Sequence, residues 1–253
     1  MDSNSAIYPS LQNRTAIVTG GASGIGAAIV RGFCNQGTRV GFLDLDETAA
    51  ADLIAELPNA ELAFHKCDLR DVTAVQEGIR NLEDQLGAAT ILINNAARDD
   101  RHSIDEVTSQ YWDDRVATNL KHQFFAAQAV SKSMIAAKRG SIVNMGSVSW
   151  MIGQGGMPCY TTAKSAVQGL TRALARDLGE HNIRVNTVVP GWIMTERQKE
   201  LWLTPEGEAD IYKHQCLKRK LSPEDVAKTV LFFASDEAGA CTNQSYIVDG
   251  GWV

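Results

Sequence analysis

Short apolar runs alternate along this chain with longer stretches of helical pattern. Seven runs have the length and character of strands: 14–19, 38–43, 61–66, 90–94, 140–145, 183–189 and 245–249. Thr15-Ala16-Ile17-Val18 and Ile91-Leu92-Ile93 are nonpolar at almost every position, as expected of strands covered on both faces. Between the runs, helices are predicted near 24–36, 46–57, 71–86, 109–138, 158–180 and 223–235. The last has an explicit start, with Ser222 as N-cap, Pro223 in the first turn, and Glu224 and Asp225 behind it. This alternation predicts a parallel sheet with crossover helices. The fold class is therefore α/β: a single-domain, Rossmann-type doubly wound parallel sheet of about seven strands over residues 1–253. No repeat, low-complexity tract or linker divides it. Residues before about 12 read as a loose arm. Positions 192–221 are long for a connection, and a segment of that size beside a site is expected to form a substrate lid.

Composition narrows the classes. The chain has 253 residues, 44% hydrophobic and 21% charged, the profile of a soluble globular domain with a sizeable core. A formal net charge of -6 argues against a nucleic-acid partner. Five cysteines, at 34, 67, 159, 216 and 241, show no C-x-x-C and no metal spacing. They read as free thiols in a reducing, cytoplasmic setting, and no metal is expected. Cys159 adjoins Tyr160 but reads as a small core or wall filler. No signal peptide opens the chain and no apolar run approaches membrane-spanning length, so no membrane association is expected.

Three motifs carry chemistry. Thr19-Gly20-Gly21-Ala22-Ser23-Gly24-Ile25-Gly26 joins the first strand to the first helix. A strand, a glycine-rich turn and a helix place a dinucleotide's pyrophosphate at a helix N-terminus, and glycines allow close backbone approach. Asp44 ends the second strand, where an acidic residue suits a ribose diol and repels a 2'-phosphate. Asp46 is free to cap the next helix instead. The cofactor expected is therefore NAD. Tyr160 and Lys164 lie four residues apart, on one helix face, thirteen residues after Ser147. An ammonium beside a phenol favours the phenolate, which suits general acid-base work.

These pieces resemble the short-chain dehydrogenase/reductase family, in family order and over nearly the whole chain. The resemblance adds Cys67-Asp68-Leu69, similar to the adenine-contacting segment, and Asn94-Asn95-Ala96-Ala97, similar to the family's N-N-A-G. It also adds Asn119 in a helix and Pro190-Gly191-Trp192-Ile193-Met194-Thr195, similar to the nicotinamide-side loop. It implies Asn119, Ser147, Tyr160 and Lys164 as catalytic residues. Cofactor contacts are implied at Gly20, Ser23, Gly24, Ile25, Gly26, Asp44, Asp68, Leu69, Asn95, Ala96, Tyr160, Lys164, Pro190, Gly191, Ile193 and Thr195. Tyr160 would take the hydroxyl proton, Ser147 orient the substrate oxygen, Lys164 bond the nicotinamide ribose, and Asn119 anchor a water leading to solvent. A homotetramer is implied, with Trp252 reaching toward a neighbour's pocket. Two departures appear: Ala97 replaces the usual glycine, and Asn243 stands where a glycine is expected, a position that asparagine tolerates at positive φ.

Within the family, the residues around the expected mouth resemble the bacterial aldose 1-dehydrogenases. The carriers are Asp99-Asp100-Arg101-His102, Gly146-Ser147-Val148-Ser149-Trp150, Arg197-Gln198, Thr204-Pro205-Glu206-Gly207-Glu208, Gln215-Cys216-Leu217-Lys218 and Gly251-Trp252. This implies oxidation of an aldose such as D-xylose at its anomeric carbon to a lactone. The expected substrate contacts are Arg98, Ser147, Ser149, Trp150, Gln154, Tyr160, Trp192, Gln198 and Trp202, a polar and aromatic mixture suited to sugars. Arg98 offers an alternative, a carboxylate clamp for a sugar acid such as a keto-deoxy-aldonate; a loop ion pair with Asp99, Asp100 or Asp113 is the simpler role. A 3-oxoacyl thioester reductase would favour NADPH and a basic docking face, against Asp44 and the acidic balance. A degenerate, cofactor-binding regulator is disfavoured by the intact Asn119, Ser147, Tyr160 and Lys164.

Overall fold

A computed structural model describes residues 6–253. Seven strands form one sheet: β1 (Thr15–Thr19), β2 (Arg39–Asp44), β3 (Leu62–Lys66), β4 (Ile91–Asn94), β5 (Gly140–Met145), β6 (Ile183–Pro190) and β7 (Ser245–Val248). Their order is β3-β2-β1-β4-β5-β6-β7 and every neighbouring pair is parallel. The helices are α1 (Gly24–Asn35), α2 (Glu47–Glu56), α3 (Val72–Leu86), α4 (Ser109–Val116), α5 (His122–Ala137), α6 (Pro158–Leu178), α7 (Glu196–Leu201), α8 (Pro205–His214) and α9 (Pro223–Ala234).

The strand pattern explains the layering. On β1, Ala16 and Val18 join the core that includes residues of α1 and α9, while Ile17 joins the core that includes residues of α3 and α5. Both faces are dry, so all five β1 residues are buried. The chain runs outward through β2 and β3, then returns to lay β4 beside β1. Thr19 is level with both Leu43 and Asn94, so the carboxyl ends of β2, β1 and β4 share one edge. That reversal is the switch point at which an open α/β sheet leaves a crevice.

The local signals worked as chemistry. Asp46 accepts the Ala49 N–H and caps α2, and Asp71 caps α3 by accepting from Thr73 and Ala74. Ser222 and Asp225 form a reciprocal capping box on α9. Asn243 has φ 62°, the conformation expected where asparagine replaces glycine.

Two expectations need correction. The helix expected over 109–138 is interrupted by a π turn at Ala117–Lys121. There the Thr118 hydroxyl donates to the Asp114 carbonyl and the Asn119 amide to the Arg115 carbonyl, so side chains compete for carbonyls of the helix ladder. The expected loose arm is partly ordered: Pro9–Leu11 make a 3-10 turn, Leu11 is fully buried and Tyr8 packs on the core. Residues 1–5 of that arm lie outside the described residues. Over 192–221 the chain forms α7 and α8, capped by Thr195 and Thr204. Among the described residues no helix is long and apolar enough to cross a membrane.

Candidate active site

The crevice at the switch point is a cleft of about 1350 Å3 running from Asp44 and Asp68 at one end to Gln154 and Trp252 at the other. Its floor is the β1–α1 turn. Gly20 has φ +65°, and a Cβ there would sit 2.8 Å from the Ala96 Cα. At Gly26 a Cβ would lie 1.8 Å from the Gly20 carbonyl oxygen, so only glycine lets the turn close. The Asn95 amide clasps the same turn from β4, donating to the Thr19 and Gly20 carbonyls. The Ser23 side chain makes no cap bond at the start of α1. Gly24 and Ile25 therefore bring uncapped N–H groups to the cleft wall, which is the chemistry of an anion site.

Asp44 occupies the end of β2 as expected. One carboxylate oxygen accepts from the Ala22 N–H at 2.9 Å, and the other from Leu45 at 2.7 Å and Asp46 at 3.2 Å. These bonds fix the carboxylate and leave acceptor capacity facing the cleft. Asp68 and Leu69 line the same end, with Asp68 held by Arg70, which also pairs with Asp114. Glycine turn, uncapped helix start and fixed carboxylate together fit a nicotinamide dinucleotide. Ala96, Pro190, Gly191, Ile193 and Thr195 line the wall toward the centre. Among the described residues no group of three His, Cys, Asp or Glu side chains could hold a metal.

Ser147, Tyr160 and Lys164 meet at the centre. Ser147 ends the loop after β5, where its hydroxyl accepts the Ser149 N–H at 3.2 Å. Lys164 is fully buried and donates to the Met145 carbonyl at 2.8 Å, with Nζ 5.8 Å from the centre of the Tyr160 ring. Burial alone lowers Lys164 to about 7. Burial pushes the Tyr160 phenol up to about 12, and Asp99 pushes the same way, while Ser147 and Arg101 pull it down. The expected lowering of the phenol by the neighbouring ammonium is not seen: desolvation dominates, and the charges acting on Tyr160 are those of Asp99 and Arg101.

Of the remaining expected residues, Arg98, Ser149, Gln154, Trp192 and Gln198 line the cleft. Arg98 is more than half exposed and pairs with Asp100 at 3.5 Å, the simpler of its two anticipated roles. Four residues are off the wall. Gly26 lies beneath the turn. Asn119 is fully buried, its carbonyl oxygen accepting the Arg98 N–H at 2.8 Å and its amide bonded to Arg115, so its side chain fastens the post-β4 loop to the π turn. Trp150 ends the 3-10 turn Val148–Trp150 and lines a shallow depression that adjoins the cleft, the two sharing Ser149 and Gln154. Trp202 lies under Arg101, whose guanidinium is 4.9 Å from the ring centre. Trp252 lines this chain's own cleft and stacks on His214.

The site also holds charged groups beyond the expected substrate contacts: Asp99, Arg101 and Arg197 belong to the segments that carry the resemblance at the mouth, and Arg115 was not among the expected residues. Asp99, Arg101, Arg115 and Arg197 all reach the cleft. Arg197 pairs with Asp100 at 2.7 Å and with Asp99 at 3.5 Å, tying α7 to the loop after β4. The unbroken charged run Arg98-Asp99-Asp100-Arg101 is the signal that marks this loop. Behind Lys164 lies His122, buried, with neither ring nitrogen at hydrogen-bonding geometry. Burial and the Lys164 charge hold it down to about 3.

Comparison with known proteins agrees with this geometry. A family profile described as enoyl-(acyl carrier protein) reductase matches residues 20–253. The chain is 46% identical over 251 residues to the D-xylose 1-dehydrogenase of Caulobacter vibrioides, covering 98% of this chain and 99% of that one. It is 44% identical over 250 residues to a protein of Rhizobium meliloti named as a probable galactose dehydrogenase, covering 98% of each. The solved structure of a short-chain type dehydrogenase/reductase from Mycobacterium ulcerans superposes with a TM-score of 0.91 at 26% identity, over 96% of this chain and 90% of that one. With the glycine turn at the sheet's switch point and the Ser-Tyr-Lys group at its centre, these likenesses show that the chain belongs to the short-chain dehydrogenase/reductase family.

Proposed function

We propose that this protein is an NAD-dependent sugar dehydrogenase that oxidises an aldose at its anomeric carbon to the lactone, with a pentose such as D-xylose as the preferred substrate. The observation that carries the reading is end-to-end identity of 46% with a D-xylose 1-dehydrogenase, joined to a cleft mouth of mixed polar and aromatic groups. NAD is favoured by Asp44, fixed by three backbone amides at the ribose end.

The residues divide the work. The glycine turn and the start of α1 hold the dinucleotide's phosphates, and Asp44 its adenine ribose. When bound, the oxidised nicotinamide supplies the hydride acceptor and a positive charge that favours the Tyr160 phenolate. Tyr160 takes the proton from the sugar hydroxyl, and Ser147 positions that oxygen and shares its charge. Lys164, fixed on the Met145 carbonyl, lies one helical turn from Tyr160 on α6 with its Nζ 5.8 Å from the ring centre, where its protonated form would add positive potential. The segment carrying α7 and α8 acts as the lid that excludes water.

Arg98 is already paired with Asp100 rather than free to clamp a carboxylate, so a neutral sugar fits better than a sugar acid. The same reading includes a cytoplasmic homotetramer, supported by the half-exposed Trp112, Phe124 and Ile135 of α4 and α5. The test is NADH formation from D-xylose with the product identified by NMR. Lactone, hydrolysing to the aldonic acid, is expected; a keto-sugar would place the oxidation at another carbon.

A further inference from the structure

The mouth holds a carboxylate that neither cofactor binding nor proton transfer uses. Asp99 lies on the loop after β4, with its side chain 18% exposed, and lines the cleft. One of its oxygens accepts from the Gln198 amide at 2.7 Å. The Gln198 carbonyl oxygen in turn accepts from the Trp192 indole at 2.9 Å. An indole N–H only donates, so it fixes which end of the Gln198 amide faces which way. The NH2 is thereby committed to Asp99, and Asp99 is committed to accepting. Trp192 is itself braced by α8: a Cβ added to Gly207 would meet its ring at 2.8 Å. The other Asp99 oxygen is 3.5 Å from the Arg197 Nε, outside a strong hydrogen bond. A carboxylate accepts about four hydrogen bonds, so Asp99 keeps capacity for incoming donors.

Its place relative to the chemistry is also defined. Asp99 and Arg101 line the same cleft as Ser147 and Tyr160, and their charges act on the Tyr160 phenol in opposite directions. Arg101 is turned onto the Trp202 face. Asp99 is thus an acceptor with spare capacity in the cleft that holds Ser147 and Tyr160.

Resting on the aldose reading above, we propose that Asp99 is the specificity-determining residue of the site: its carboxylate, aimed by the Trp192–Gln198 pair, accepts the hydroxyl next to the reacting carbon and rejects substrates that carry a carboxylate there. Sugar hydroxyls donate to it, whereas an acid group meets like charge in a partly desolvated cleft. Gln198 and Trp192 are positioning residues that hold the carboxylate's aim.

The test pairs enzyme variants with substrate analogues. Wild type, Asp99→Asn and Asp99→Ala are assayed on D-xylose, on its 2-deoxy analogue and on the corresponding aldonate, with NADH binding as the check that each variant is folded. Loss of a charge-assisted hydrogen bond lowers kcat/KM by about 10- to 100-fold. That loss is expected on D-xylose and largely absent on the deoxy analogue, which has no hydroxyl for Asp99 to hold. Asp99→Asn keeps the side-chain shape and should move the sugar-to-aldonate ratio toward the aldonate. It should also shift the pH profile of kcat to lower pH, since removing the negative charge eases Tyr160 ionisation. Gln198→Leu should raise KM for D-xylose more than it lowers kcat. An active wild type whose preference for D-xylose over the deoxy analogue survives unchanged in both Asp99 variants overturns this inference alone. A wild type inert on every aldose overturns the functional reading and this inference with it.

Discussion

Cofactor preference can be worked from the bonding of Asp44. Three of its acceptor positions are taken by the N–H groups of Ala22, Leu45 and Asp46, leaving about one for a ribose hydroxyl. A hydrogen bond to a charged acceptor contributes about 1.5–3 kcal/mol. With NADP that hydroxyl is replaced by a phosphate. At about 5 Å and an effective dielectric near 20, like charges repel by roughly 3 kcal/mol per unit charge. Asp44 is half-exposed, so salt reduces this to about 1–2 kcal/mol. The sum, about 3–5 kcal/mol, corresponds to a preference for NADH over NADPH of at least ~10²-fold. Asp44→Asn is the informative variant, because it keeps an oxygen for the backbone amides while removing the charge; Asp44→Ala would strand those amides and loosen the loop. Fluorescence titration of both reduced cofactors reads the ratio directly, and it should fall to about 10-fold or less in Asp44→Asn. Wild-type dissociation constants within threefold of each other, or a ratio unchanged in Asp44→Asn, would refute the reasoning.

Other consequences are equally direct. Tyr160→Phe removes the proton acceptor and keeps the ring, so turnover should fall at least ~10²-fold while the NADH dissociation constant stays close to wild type; stopped-time NADH assays and titration together check this. His122 is held down to about 3 in the fold against 6.5 when unfolded, so the unfolded chain binds the extra proton between those values and stability is lost as pH falls from 6.5 toward 3. The slope is about 1.4 kcal/mol per pH unit, roughly 2 kcal/mol by pH 5, and urea midpoints for wild type and His122→Phe should diverge accordingly; equal acid sensitivity would place its origin elsewhere. Light scattering should give four times the 27.4 kDa chain mass, and a monomer mass would end the tetramer proposal.

Much of the architecture was legible because the interior is dry. Strands such as β1 and β4, buried on both sides, are apolar at almost every position, and caps such as Asp46 and Ser222 are local chemistry with local signatures. The π turn was not legible, because it depends on Asn119 and Thr118 bonding carbonyls that a regular helix would otherwise use. The group proposed as catalytic was visible as Ser147, Tyr160 and Lys164, whose spacing has meaning on one helix and the loop that follows β5. The electrostatics of Tyr160 were not, since desolvation is a property of the assembled cleft. The mouth was read least well. Trp150 and Trp202 have the right chemistry for a sugar but are set back from the cleft wall, Trp150 on an adjoining depression and Trp202 against Arg101, while Asp99 is placed only when α7 folds back across the loop after β4. Contacts between segments nearly a hundred residues apart leave no periodic trace in either segment.

What the purified protein oxidises is the most direct test of the proposed function. Initial rates of NADH formation, measured with NAD across a panel of free aldoses and sugar acids, should be highest with a pentose such as D-xylose and near background with every acid. Fast turnover of a sugar acid together with inert aldoses would contradict the account at its centre.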